Sequence, residues 1–500
     1  MAGSLWITAW LLAAGFLVAV LAVPLVRRAA GRFGLMAAPG GRRTHERPTP
    51  LGGGLVIYLP LALSFLAFFA LLQAGVLEVA QPDAGKMVSL WAGATWILLL
   101  GTWDDRVRLG WKKKLAGQFL ASAILVLGGH TIANATLPFF GLVSFGVLGV
   151  PLFMLAVVVV VNAVNLIDGL DGLAGGIGFF AALTAALIAV AKGDAFTAVI
   201  GFTLAGSLLG FLMYNFPPAS IFLGDGGSMM VGFLLGAFAT SSAALQPGQR
   251  LGTSLMILVP FLPLAVPLTD VALSVARRWF TGRALFWGDG DHLHHRLGER
   301  VKNPRLTVTI FYAFSAVLSA LTLLLVFQGR SPAGFWLWGL AALVMAGGTL
   351  GALALYRGKP LAVAWRDRPH FRFLGLFTRY MKARLDRART LAECLDLLAA
   401  GVRDLGFDRV EVWREGRIYK VWQHHHPVHP ERSRLQADET LADGRITVRW
   451  SRPSHVDETY NEYLMLTWHR FLVAWKETLH RHLPASPADS GGKVVELPRK

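Results

Sequence analysis

The sequence predicts a polytopic α-helical membrane protein that carries a small α+β domain at its C-terminal end. Three observations predict it. Of the 500 residues, 54% are hydrophobic and only 16% charged, against roughly a quarter charged in soluble domains. The deficit is confined to one part of the chain: apolar runs alternate with short polar loops up to about Tyr356, and from Gly358 onward the composition is that of a soluble protein. The basic residues crowd into every second loop, the pattern left by membrane insertion.

A helix needs about 20 apolar residues to cross the hydrocarbon core. Eleven segments qualify or come close: 5–26, 53–74, 88–103, 115–133, 148–166, 173–191, 195–214, 227–245, 252–276, 306–327 and 334–356. The third is short, and the stretch from Phe139 to Val150 reads either as a hairpin or as the start of a span. The first run is followed by Arg27 and Arg28 rather than by a small-residue cleavage site, so it is a retained span. The loop after span one holds Arg27, Arg28, Arg32, Arg42, Arg43 and Arg47; comparable clusters follow span three (Arg106 to Lys114) and span nine (Arg277 to Arg305). The intervening loops carry only Lys86, Lys192, Arg250 and Arg330. This asymmetry puts the N-terminus outside and the C-terminus in the cytoplasm. It also assigns the net charge of +17 to loops facing anionic lipid, not to nucleic acid.

The expected organisation is a transmembrane domain over 1–356, a juxtamembrane linker over 357–385, a cytoplasmic α+β domain over 386–483 and a disordered tail over 484–500. Leu391, Cys394, Leu395, Leu398, Val402 and Leu405 have helical spacing. Residues 409–413 and 445–450 alternate like strands, and a last helix is expected over 458–482. This domain vaguely resembles GAF domains at the level of fold. Cys394 is the single cysteine, so an intrachain disulfide is excluded. His424, His425, His426 and His429 read as a solvated loop.

Four polar clusters fall in loops assigned to one side, although the topology was set by lysine and arginine alone. The first is Trp103-Asp104-Asp105-Arg106, two adjacent carboxylates at a membrane edge that call for a cation or full solvation. In the second, Asn162, Asn165, Asp168 and Asp171 stand three apart and share one helical face; two amides and two carboxylates in a row make a poor core and good ligands for a hard cation such as Mg²⁺. The third, Phe222 to Ser228, is a glycine-rich turn opening a helix, whose free N–H groups suit phosphate; Asp225 within it suggests a metal-bridged diphosphate. The fourth, Asp289 to Arg296, places His292, His294, His295 and Arg296 in a loop suited to a nucleotide or phosphate.

With Arg42-Arg43-Thr44-His45 and Pro48-Thr-Pro-Leu-Gly-Gly53 added, and Lys114 and Gln118 following Asp104-Asp105, these clusters resemble the polyprenyl-phosphate N-acetylhexosamine-1-phosphate transferases in kind and order. The resemblance covers about residues 30–300. One departure is that Ala37 and Ala38 stand where the family usually has an Asp.

The resemblance implies an Mg²⁺-dependent transfer of a sugar phosphate, GlcNAc-1-phosphate by default, from a UDP-sugar to undecaprenyl phosphate, releasing UMP at the start of a cell-envelope glycan. N-acetylated deoxyhexoses stay open as sugars. It implies catalytic roles for Asp104, Asp105, Asp168 and Asp171, with Asp104 either taking a proton from the lipid phosphate or attacking directly. It implies metal contacts for Asp225 and Asn165, and substrate contacts for His45, Lys114, Asn162, His292, His294, His295 and Arg296. The partners expected are the lipid carrier, the UDP-sugar and the membrane, with a homodimer as an option. Two rival readings fit the residues less well. A secondary transporter would hold its charges near midplane rather than at loop edges, and a sensor with an inactive core would not need the intact Asp pairs.

Overall fold

The computed structural model describes residues 2–37, 48–76, 83–137, 141–243, 259–281, 292–328, 332–355, 361–414, 417–423, 434–441, 446–453, 458–482 and 493–496. His45, the rest of 42–47, Asp289, Asp291 and the His424–His429 loop lie outside them. The chain divides into two compact units, one of residues 1–275 and 288–358, the other of 276–287 and 359–500.

The first unit is helical. Its helices are α1 (Ala2–Ala30), α2 (Gly53–Gln73), α3 (Ala84–Val107), α4 (Trp111–Leu127), α5 (Gly149–Ile167), α6 (Leu173–Lys192), α7 (Ala195–Asn215), α8 (Gly224–Ala243), α9 (Ala265–Thr281), α10 (Leu293–Val301), α11 (Pro304–Gln328) and α12 (Pro332–Leu355); the last residues of α9 belong to the other unit. Eight helical segments among the described residues are long and apolar enough to cross a membrane. They are the first three expected spans, the fifth to seventh, the ninth and the tenth. Helices α4, α8 and α12 stand at the other three expected positions. The protein is thus a multi-pass membrane protein. The Phe139–Val150 ambiguity is settled by strands β3 (Asn134–Leu137) and β4 (Gly141–Ser144), which pair antiparallel ahead of α5. Two-residue strands Met36–Ala37 (β1) and Thr49–Pro50 (β2) pair beside α1 and α2.

Helix α8 is the axis of this unit. It is buried along nearly its whole length, and its glycines let neighbouring backbones approach on two sides. A Cβ at Gly226 would lie 2.6 Å from Thr102 Oγ1 on α3, and one at Gly232 would lie 2.8 Å from Val161 Cα on α5. In lipid there is no hydrophobic drive between helices, so such small-residue contacts carry the association. Helix α1 meets α7 in the same way, through Gly206 and Gly210 against the backbone of Leu12 and Phe16.

The second unit is α+β. Five strands lie in the order β7-β8-β5-β6-β9, where β5 is Arg409–Arg414, β6 Arg417–Gln423, β7 Arg434–Leu441, β8 Ile446–Pro453 and β9 Lys493–Glu496. With them are helices α13 (Leu361–Leu385), α14 (Leu391–Asp404) and α15 (Glu458–His482). Thr390 caps α14 by accepting from the Glu393 amide at 3.2 Å. Cys394, Phe407, Trp422, Trp468 and Trp475 are buried in its core. Two expectations differ from the structure. Residues 361–385 form a helix that adds Leu374, Phe377, Met381 and Leu385 to this core, an i, i+3, i+7, i+11 stripe. Within 484–500, expected as a disordered tail, Lys493–Glu496 pairs parallel to β6.

Candidate active site

The C-terminal ends of α3 and α5 and the N-terminal ends of α2, α4 and α8 come together at one end of the helical unit. The Pro-Leu-Gly-Gly segment before α2 is bonded to the third motif: Phe222 N–H donates to Pro50 O at 2.9 Å, and Gly53 N–H to Phe222 O at 3.0 Å. A cavity of about 190 Å³ opens there. It is lined by Asp105, Asn165, Asp168, Asp171, Asp225 and His295, together with Asn215, Gly224 and the Leu51 and Phe222 side chains. Motif residues up to 190 positions apart in sequence, from Asp105 to His295, thus face one space.

Asp225 is the best-supported group in the site. Lys114 Nζ donates to its Oδ2 at 2.7 Å, and Asn165 Nδ2 donates to its Oδ1 at 2.8 Å. The same Asn165 amide nitrogen donates to Ser228 Oγ at 2.8 Å, which leaves the Asn165 carbonyl oxygen as its free acceptor function. Lys114 also reaches Asp104 Oδ2, at 2.8 Å. One ammonium therefore lies between two carboxylates from different helices and neutralises part of their repulsion. Asp104 is only 7% exposed, and its Oδ1 accepts the Leu109 amide hydrogen where α3 ends.

Asp105 does something the sequence did not suggest. Its two oxygens accept the amide hydrogens of Asp225 (2.9 Å) and Gly226 (3.1 Å). The opening turn of α8 was expected to offer free N–H groups to a phosphate; at these two positions a carboxylate has already taken them, because a helix N-terminus attracts any nearby anion. Gly224 permits the arrangement. Its φ is +74°, and a Cβ there would lie 2.7 Å from Asp105 Oδ2.

Asp168 ends α5 and Asp171 stands just beyond it, both on the cavity wall. Asp171 Oδ2 accepts the Ala219 amide hydrogen at 2.9 Å. Gly172, with φ +76°, turns the chain into α6. Asn162 is not on the wall. Its Nδ2 donates to Gln118 Oε1 at 2.6 Å, joining α5 to α4 as an amide pair. Of the fourth motif, His295 lines the cavity, His292 and His294 are buried beside it, and Arg296 is half-buried in the first turn of α10 off the cavity wall.

The family model described as glycosyl transferase family 4 matches residues 87–243, from α3 to the end of α8. The chain is 31% identical over 309 residues to the probable undecaprenyl-phosphate N-acetylglucosaminyl 1-phosphate transferase of Bacillus subtilis, covering 61% of this chain and 82% of the relative. It is 34% identical over 314 residues to the decaprenyl-phosphate N-acetylglucosaminephosphotransferase of Mycolicibacterium smegmatis, covering 59% and 76%. It is also 32% identical over 324 residues to the phospho-N-acetylmuramoyl-pentapeptide-transferase of Heliobacterium modesticaldum, covering 62% and 92%. The chain belongs to glycosyl transferase family 4.

The site of this family 4 member presents oxygen donors to its cavity: four carboxylates and the amides of Asn165 and Asn215. That donor set fits a hard divalent cation and not a thiolate-seeking metal. Among the described residues no group of three or more His, Cys, Asp or Glu side chains is placed to hold a metal unaided. Magnesium is commonly held by one or two carboxylates, waters and substrate phosphates, so Asp225 and the Asn165 carbonyl fit such a partial sphere.

Two residues of the site were missed from sequence. Asn215, 3% exposed at the end of α7, accepts from Gly172 N–H at 3.0 Å and donates to Ile221 O at 2.8 Å, tying the second motif to the third. Asp270, 2% exposed on α9, contacts the histidine motif. Asp270 carried a readable signal, since it is an ionisable residue inside an expected span.

Proposed function

We propose that this protein transfers N-acetylglucosamine-1-phosphate from UDP-N-acetylglucosamine to a polyprenyl phosphate, undecaprenyl phosphate by default, releasing UMP as the first membrane step of a cell-envelope glycan. The observation that carries this reading is the convergence of Asp105, Asn165, Asp168, Asp171, Asp225 and His295 on one cavity at the helix ends. A site there can receive a soluble nucleotide while an isoprenoid tail stays among the helices. The names of the relatives supply the sugar and the lipid. We further assign eleven spans, an external N-terminus, a cytoplasmic site in the inner membrane, and a cytoplasmic C-terminal domain of GAF-like type. Basic loop residues favour this orientation.

Both reacting groups are anionic, so the task is charge neutralisation and alignment. Mg²⁺, held by Asp225 with the Asn165 carbonyl, would supply positive charge to the diphosphate. Lys114 holds the Asp225 carboxylate in place and offsets the Asp104 charge. Asp104 acts as the anchor of Lys114: it holds the ammonium and the Leu109 amide, and unlike Asp225 it does not line the cavity. A phosphate monoester is largely dianionic near neutral pH, its second pKa being about 6, so attack needs little help from a protein base. Asp168 and Asp171 orient the nucleotide side of the cavity, and His295 donates to phosphate oxygens.

The test is transfer of label from UDP-[¹⁴C]GlcNAc to extractable polyprenyl lipid by purified protein, with and without Mg²⁺, beside Asp225→Ala. Metal-dependent labelling that disappears in the variant supports the reading. Silence with every UDP-sugar tried, from protein shown to be folded, would sink it.

A further inference from the structure

The three histidines of the fourth motif do not share one environment. His295 lines the cavity, while His292 and His294 are 6% and 1% exposed. The group that holds the buried pair is Asp270. Its Oδ1 accepts the Leu293 amide hydrogen at 2.9 Å, and its Oδ2 stands 3.3 Å from His292 Nδ1 and 3.4 Å from His294 Nδ1. These two approaches are ion-pair contacts that do not meet hydrogen-bond geometry, and His292 Nδ1 is also 3.4 Å from the Ser274 hydroxyl. They are favourable only if both nitrogens carry a proton, since an imidazole lone pair in either place would face a carboxylate lone pair. One oxygen thus selects the Nδ1–H form of both rings, which lie 5.5 Å apart and within 8° of parallel.

From His294 the contacts run to the chemistry in two directions. Its Nε2 sits against the loop of the second motif: a Cβ at Gly169 would be 2.4 Å from it. Gly169 lies between Asp168 and Asp171, and it is itself on the cavity wall. The ring of His295 has its centroid 4.3 Å from that of His294, with the two planes tilted by 45°. A carboxylate inside an apolar span is costly and is kept where it has partners to hold.

We infer that Asp270 is the positioning residue of the histidine motif: it fixes the place and tautomer of His292 and His294, and through them the His295 ring and the Asp168–Asp171 loop at the cavity. Its kinetic consequence rests on the transferase reading; its geometric claim does not. The full-length protein in nanodiscs is footprinted with diethyl pyrocarbonate and labelling is read at each histidine by mass spectrometry. In the unsubstituted protein His292 and His294 are protected and His295 reacts. Asp270→Asn keeps an acceptor for the Leu293 amide but replaces the shared anionic acceptor by an amide. Labelling at His292 and His294 should rise about tenfold while the melting temperature is nearly kept; unchanged protection in a folded variant overturns the proposal. The second measurement is a double-mutant cycle with His295→Ala. Asp270→Asn should lower kcat about 30-fold in the otherwise unsubstituted enzyme and less than threefold in the His295→Ala background. Equal losses in the two backgrounds would mean that Asp270 serves only general stability, and that also overturns the proposal. Absence of transfer by the unsubstituted protein would sink the transferase reading instead, and the footprint would still decide the role of Asp270.

Discussion

Asp105 closes the N-terminus of the helix that carries Asp225, accepting the Asp225 amide hydrogen at 2.9 Å while the Asp225 side chain turns to Lys114 and Asn165. One carboxylate is structural so that the other can be presented. Asp105→Ala leaves two amide donors of the first turn without this acceptor. Loss of a cap of this kind costs about 1 kcal/mol, up to ~2. We expect a lower melting temperature in detergent and a larger fall in transfer, because Asp225 moves with the turn. Asp105→Asn, which keeps one acceptor oxygen, should fall between the two. Unchanged stability in Asp105→Ala would show that the cap is unimportant.

Lys114 is the counter-charge for Asp104 and Asp225. Lys114→Met leaves two carboxylates facing each other without a cation, and truncating one partner of a buried charge cluster is strongly unfavourable. The expected loss in kcat/KM is on the order of 100-fold, or ~2.7 kcal/mol. Lys114→Arg keeps the charge but not the compact point donor, and should recover only part of the rate. Equal kinetics for Lys114→Met and the unsubstituted enzyme would remove Lys114 from the site.

The contact of α3 with α8 is set by two glycines. A Cβ at Gly101 would lie 2.5 Å from Asp225 O and Gly226 Cα, all backbone, while one at Gly226 would meet Thr102 Oγ1 at 2.6 Å. Overpacking of this sort costs about 1–3 kcal/mol. Both alanine variants should lose stability and transfer. Adding Thr102→Ala should partly rescue Gly226→Ala and leave Gly101→Ala unrescued, since only the first clash involves a removable side-chain atom. Thermal unfolding of the four proteins separates the cases.

Removal of divalent metal by EDTA should abolish lipid labelling, and Mg²⁺ should restore it. Asp225→Asn should raise the Mg²⁺ concentration needed for half-maximal rate, whereas Asn162→Ala should leave it unchanged, because Asn162 is spent on Gln118 and stands off the cavity wall. A metal titration of the three proteins decides this, and a shift in Asn162→Ala would contradict the assignment.

Much of the site was legible because its residue types are conspicuous in their setting. Carboxylates and amides are expensive beside lipid, so Asp104, Asp105, Asn162, Asn165, Asp168, Asp171 and Asp225 stood out against apolar runs. Their division of labour was not legible. Asn162 and Asn165 share a helical face and differ by one turn, yet one pairs with Gln118 and the other with Asp225. The roles of Asn215 and Asp270 are not legible, because each sits alone at or within an apolar run and gains its meaning from partners 43 and 22 to 24 residues away, Gly172 for the one and His292 and His294 for the other.

By itself the sequence determined that the chain is a membrane protein with a polar end-face, a soluble-type domain after it, and the chemistry of the groups at that face. Those are matters of transfer free energy, which each residue carries wherever it is placed. Which carboxylate caps a helix, which two share the Lys114 ammonium and which histidine reaches the cavity follow from tertiary contacts alone. Those roles depend on distances between atoms brought together from separate helices, and the distances are set by how closely glycine-lined backbones pack.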